Sequence, residues 1–141
     1  MSELIHEAYP VEKGAFETAG EVSGTIKRML RKLGVPSQVI RRVSVASYEV
    51  ELNLVIHSLG GQMEIFIEPE SVTLDVSDRG PGIPDLDLAM QEGWSTASDE
   101  VRTLGFGAGM GLPNMKRYSD EMEIDTTVGV GTTVTMRINI A

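Results

Sequence analysis

Apolar positions in this chain recur with two different periods. Val22, Ile26, Met29, Leu30 and Leu33 are spaced by four, three, one and three residues, which predicts a helix over 18–33. Gly34 and Pro36 stop it. Ser37 is a fair N-cap for a second helix running to about Ser58, where Gly60-Gly61 end it. Arg41, Arg42, Glu49 and Glu51 punctuate that segment, so it reads as one amphipathic helix laid against a sheet. Beyond it the period drops to two. Met63, Ile65 and Ile67 alternate with polar neighbours, as do Val72, Leu74 and Val76, and Pro69-Glu70 separates the runs as a hairpin turn. Residues 121–128 and 131–140 form a last hairpin around Gly129 and Gly131, with Val134, Met136, Ile138 and Ile140 on its buried face. Residues 4–11 alternate weakly and predict an edge strand.

Between the hairpins the pattern breaks. Asp78-Arg79-Gly80-Pro81-Gly82-Ile83-Pro84 is too rich in Gly and Pro for regular structure. A short helix is expected over 85–92 and a mobile, glycine-rich loop over 93–111. Leu112 to Ser119 reads as a short helix entered directly from Gly111. The order is β-α-α-β-β-loop-α-β-β. Three or so helices cover only one face of such a sheet, so the expected fold is α+β, a two-layer α/β sandwich. Its sheet is mixed and mostly antiparallel, and the strand after the loop helix is expected to pair parallel to a hairpin strand. The length of 141 residues fits one domain over the whole chain, 1–141.

Composition narrows the chemistry. There is no Cys, which excludes disulfides, thiolate metal sites and Cys nucleophiles, and two His leave little scope for a His-based metal centre. The net charge of −9 disfavours binding to a nucleic-acid backbone. It does not disfavour a small nucleotide, because a nest of backbone N–H groups holds phosphates on an acidic protein. No stretch of 18 apolar residues is present, so no membrane span is expected, and the N-terminus lacks the regions of a signal peptide. Cytoplasm is the expected location.

Three glycine-rich elements and one helix face remain. Asp78-x-Gly80-x-Gly82 closes a predicted strand. Its glycines let backbone approach a flat ligand, and its carboxylate suits an exocyclic amine. Gly105-x-Gly107-x-Gly109-x-Gly111 runs into a helix start, where N–H groups and the helix dipole favour an anion. Gly131-Thr132 opens the last strand. On the long helix Glu49 and Asn53 stand at i and i+4 and share a face. Asn53 offers a hard carbonyl oxygen suited to Mg²⁺ held between phosphates, and Glu49 a base for a hydroxyl or water. Glu51 points away from that face by about 160°. His57, a turn beyond Asn53, reads as a helix-end residue held by backbone. Taken singly, each element also reads as a turn, a linker or a solvated helix face.

The ordered set Glu49-x-x-x-Asn53, Asp78-x-Gly80-x-Gly82, Gly107-x-Gly109-x-Gly111 and Gly131-Thr132 resembles the GHKL (Bergerat-fold) ATPases, the fold of gyrase-type, Hsp90-type, histidine-kinase and mismatch-repair proteins. Within it, Asp78–Asp85, Glu92-Gly93-Trp94-Ser95-Thr96 and Gly111-Leu112-Pro113-x-x-Lys116-Arg117 are similar to the anti-sigma and switch serine/threonine kinases of bacterial partner-switching systems. The resemblance covers nearly the whole chain. It implies ATP and Mg²⁺ as cofactors, with Asn53 at the metal and Glu49 as catalytic base. It implies that Asp78 accepts from the adenine amine, with Gly80 and Gly82 at the base and Thr132 helping through a water. Gly107, Gly109, Gly111 and Leu112 are then the phosphate cradle and residues 94–106 the lid, with an insertion-like stretch at Ala97–Thr103. The implied activity is phosphorylation of a Ser or Thr on a small STAS-domain anti-anti-sigma partner. The alternatives are an ATP-dependent anti-sigma factor that sequesters a sigma factor, and a nucleotide-sensing module without protein phosphorylation. Relatives of this kind are commonly homodimers.

Overall fold

The computed structural model describes residues 5–80, 82, 83, 90 and 111–140. Among them the chain forms β1 (Ile5–Val11), α1 (Glu21–Lys32), α2 (Ser37–His57), β2 (Gly61–Ile67), β3 (Ser71–Asp78), α3 (Gly111–Tyr118), β4 (Glu121–Thr127) and β5 (Gly131–Asn139). The short helix expected over 85–92 and the loop expected over 93–111 lie outside the described residues, apart from Met90 and Gly111.

The five strands make one sheet in the order β1-β2-β3-β5-β4. Every pairing in it is antiparallel. This corrects the expected parallel pairing after the loop helix. The last strand of the chain inserts between β3 and β4, so those two run in the same direction but never touch as neighbours. The sheet is α+β in character, as expected, with the helices on one side.

Period-2 alternation supplies the buried layer. Met63 and Ile65 on β2, Leu74 and Val76 on β3, and Val134 and Met136 on β5 are buried and sit opposite one another across the ladders. The helices cover them with Ile26 and Leu30 from α1, Val43, Ala46, Val50 and Leu54 from α2, and Met115 from α3. Leu54 and Met115 are almost wholly buried, and losing such a side chain costs about 2–5 kcal/mol. α2 is the central helix, packed on α1 to one side, α3 to the other, and on the sheet beneath.

The helix ends show how local chemistry fixes the layer. At the end of α1, Leu33 is the C-cap and Gly34 takes φ +74. The Gly34 N–H then bonds the Arg31 carbonyl at 3.1 Å and the Val35 N–H the Leu30 carbonyl at 3.1 Å, the paired closure that a left-handed glycine allows. Ser37 was expected to cap α2, but Pro36 holds that position and no side chain caps the helix. Pro36 already has the extended cap geometry, and its carbonyl accepts from both Val39 and Ile40 at 3.0 Å, so the Ser37 hydroxyl has no job there. The start of α1 is served from a distance. Glu51 on α2 is 2% exposed and accepts from the N–H groups of Gly20 at 2.9 Å, Val22 at 3.3 Å and Ser23 at 3.0 Å. Its expected orientation away from Asn53 thus has a positive purpose, because it cements α1 onto α2.

Candidate functional site

β3 ends at Asp78, and the ladder places Asp78 opposite Gly61, the first residue of β2. Gly61 lacks a side chain for a steric reason: a Cβ there meets the Ser77 carbonyl and comes within 3.0 Å of Leu54 Cδ2. Leu54 follows Asn53 in sequence. The last turns of α2, which carry Glu49 and Asn53, therefore lie at the same end of the sheet as Asp78. Further backbone bonds close this corner, from Leu59 N–H to the Arg79 carbonyl at 2.6 Å and from Arg79 N–H to the Gly60 carbonyl at 3.1 Å.

The Asp78 carboxylate is half-buried. One oxygen accepts the Thr132 N–H at 3.0 Å, and among the described residues the other has no partner. Burial pushes its pKa above the ordinary carboxylate value, and the Thr132 N–H pulls partly the other way. Thr132 extends the network. Its hydroxyl lies 2.9 Å from that of Thr126, whose oxygen in turn accepts the Ile83 N–H at 2.9 Å. β3, β4, β5 and the Gly80–Ile83 segment are thereby tied together around one carboxylate. Thr126 was absent from the sequence-derived set; its partner Thr132 sits six residues away across a hairpin, and only the register of β4 on β5 reveals the pair.

The glycines serve packing within the protein as well as any ligand. Gly82 has φ +74, and a Cβ there stands 2.7 Å from the Thr127 carbonyl oxygen. A Cβ on Gly131 collides with the Asp78 carbonyl oxygen. Gly80 is buried and donates its N–H to the Val130 carbonyl at 3.1 Å. Gly82 and Gly131 are thus dictated by backbone pressed on backbone. Close approach of a ligand was the expectation for Gly82, and a hairpin turn for Gly131.

On α2, Glu49 and Asn53 keep the shared face and are both half-buried. Asn114 on α3 donates to a Glu49 oxygen at 3.3 Å, and Arg117 donates to the Asn114 carbonyl oxygen at 3.2 Å, which fixes the way the amide faces. Asn114 was missed in the sequence because nothing local links it to a residue 65 positions away. Leu112 is buried at the start of α3, against α2. Gly111 is the first residue of α3. Gly107 and Gly109, with the expected lid, lie outside the described residues, as does the His57 side chain.

The donor set suits a nucleotide and a hard cation. Asn53 brings an amide oxygen and Glu49 a carboxylate, the ligand types of Mg²⁺ shared with phosphates. Among the described residues no group of three or more Asp, Glu or His side chains forms a metal cage, and no helix is long and apolar enough to cross a membrane.

Comparison with known proteins bears on the family and the fold. The histidine kinase-like ATPase domain family matches residues 15–138, and the chain belongs to that family. An anti-sigma F factor of Thermoanaerobacter sp. (strain X514) is 35% identical over 102 residues, covering 69% of this chain and 68% of the relative. The serine/threonine-protein kinase RsbT of Bacillus subtilis is 29% identical over 112 residues, covering 77% and 78%. Among solved structures, that of the RsbU and RsbW domains of a Mycobacterium tuberculosis protein superposes with a TM-score of 0.62 at 19% identity. It covers 96% of this chain, which spans 31% of the solved one, and the likeness is one of fold.

Proposed function

We propose that this chain is an ATP-dependent serine/threonine protein kinase of the partner-switching kind, acting on a Ser or Thr of a small STAS-type protein. The observation that carries the reading is the fixed pair Asn114–Glu49, which holds a carboxylate on the face shared with Asn53 and at the Asp78 end of the sheet. Membership of the ATPase family and the likeness to a named serine/threonine kinase support it.

The residues divide the work. The unpartnered Asp78 oxygen accepts from the adenine amine, while Thr132 N–H holds the other oxygen and so sets the carboxylate plane. Gly111 and Leu112, at the N-terminus of α3, present backbone N–H groups to phosphate. Asn53 would hold Mg²⁺, which when bound neutralises charge on the phosphates. With one Glu49 oxygen engaged by Asn114, the other takes the proton from the attacking Ser or Thr hydroxyl. The hydroxyl oxygen of the Ser or Thr then bonds to the γ-phosphorus as the bond to the bridging oxygen breaks, and ADP leaves. Positioning and charge neutralisation supply most of the acceleration in such a transfer.

The test is incubation of the protein and its Glu49→Ala variant with γ-labelled Mg-ATP and a STAS-type partner. The wild type labels the partner on Ser or Thr. The variant binds ATP with unchanged heat in calorimetry while transfer falls by about 10²–10⁴-fold. Undiminished transfer by the variant removes Glu49 from its role. No heat for ATP with the wild type removes the whole reading. Capture of a sigma factor without label would favour sequestration.

A further inference from the structure

The turn between β4 and β5 is closed by a bond from Val130 N–H to the Thr127 carbonyl at 3.0 Å, with Gly129 at φ +81. That geometry needs the glycine and nothing else. Yet the residues on either side are Val128 and Val130, 64% and 67% exposed, where turns ordinarily carry polar side chains. Neither contributes to the core. A third aliphatic, Leu59, is 58% exposed at the end of α2. Backbone bonds tie the segments that carry them: Leu59 N–H to the Arg79 carbonyl, Gly80 N–H to the Val130 carbonyl, and Val130 N–H to the Thr127 carbonyl. Gly82 and Gly131 press the same strip against Val128 and Arg79. Scattered exposed aliphatics are ordinary, but three on adjoining, mutually hydrogen-bonded segments make a patch held in shape before anything binds it.

Arg79 sits inside this patch. It is exposed, and it has no ion pair among the described residues although the chain carries 21 acidic side chains against 12 basic ones. Arginine is among the residues enriched at protein-binding hot spots, and the aliphatic side chains around it supply apolar surface to bury. We propose that Leu59, Arg79, Val128 and Val130 form a docking surface for a segment of another protein carrying aliphatic side chains flanked by carboxylates. A second copy whose two-fold axis passes through the patch sets Arg79 against Arg79. An anionic membrane faces a broad side of a chain of net charge −9 and is repelled by it, whereas a short segment meets only the groups within about 10 Å of Arg79. A carboxylate-flanked aliphatic segment satisfies both the charge and the apolar surface. This surface does not depend on phosphoryl transfer, so it stands or falls separately from the kinase reading.

The probe is a pair of fluorescein-labelled twelve-residue peptides with a central Leu-Leu, one flanked by Asp and Glu, the other by Lys. The acidic peptide binds the wild type at least ten-fold more tightly than the basic one, and amide shifts on binding centre on Leu59, Arg79, Val128 and Val130. Arg79→Glu reverses the preference, and the double change Val128→Ser, Val130→Ser weakens binding at least ten-fold. All three side chains are exposed, so an unchanged thermal midpoint verifies the fold of each variant. The proposal is overturned by equal binding of the two peptides, by absence of binding, or by shifts elsewhere. It is overturned equally by a wild-type dimer that the valine changes dissolve, or by binding to phosphatidylserine vesicles that Arg79→Glu abolishes.

Discussion

Truncating Glu51 to Ala should unseat α1 far more than any comparable change on the same helix. The carboxylate serves three N–H donors at a helix start that has no side-chain cap of its own. After truncation those donors have no acceptor, and a buried donor left unpaired costs about 1–3 kcal/mol. Only the Ser23 contact is fully buried, and the Val22 bond is long, which keeps the sum near the low end. The variant also escapes the cost of holding a carboxylate out of water. The net is a loss of about 3 kcal/mol, which lowers the thermal midpoint by roughly 10 °C for a chain of this size. Glu51→Gln keeps the shape but turns an amino group toward backbone donors, and should lose about 2 kcal/mol. Glu49→Ala, two residues away and holding one 3.3 Å bond, should change stability by less than about 0.5 kcal/mol. Urea unfolding of the three variants gives the comparison, and amide exchange locates the loss at residues 20–24. Equal losses for Glu51→Ala and Glu49→Ala, or a Glu51→Gln protein as stable as the wild type, would refute the account of how α1 is anchored.

Other outcomes follow from the corner around Asp78. Asp78→Asn should abolish adenine-nucleotide binding in calorimetry, because the amide turns a donor toward the exocyclic amine once its oxygen has taken the Thr132 N–H. Burial raises the Asp78 pKa, so protonation relieves the folded state. Measured as wild type minus Asp78→Asn, stability should therefore rise as pH falls through the raised pKa, and be fully gained below the ordinary value of 3.8. Nucleotide affinity of the wild type should fall over the same interval; parallel movement of the two would contradict the assignment. Gly131→Ala should lose at least about 2 kcal/mol by denaturant titration, because the new Cβ collides with the Asp78 carbonyl, which is backbone with no easy way to retreat.

The contrast between Glu51 and Asn114 shows what the sequence could carry. Spacing alone placed Glu49 and Asn53 on one face and Glu51 on another, since helical geometry is local and repeats every 3.6 residues. Alternation likewise placed Met63, Ile65, Leu74 and Val76 in the core. Which distant group each side chain meets is a different question. Glu51 capping α1, Asn114 reaching Glu49 and Thr126 reaching Thr132 all depend on how elements dock, and the insertion of β5 between β3 and β4 has no local signature either. Asp78 and Thr132 were found because their motifs are ordered along the chain and because the set resembles a known ATPase fold. The backbone crowding at Gly82 and Gly131 emerged only when the neighbouring carbonyls were located. Ser37 misled because proline had already done the capping.

The placement of β5 has a consequence for biosynthesis. Thr132 is held against Asp78 only after the final hairpin has threaded into the gap beside β3. A chain emerging from the ribosome has made β1, β2, β3 and both long helices well before that residue exists, and the corner around Asp78 is then missing a wall. In the reading proposed above, competence for ATP therefore arrives in one late step, with the closing of the sheet.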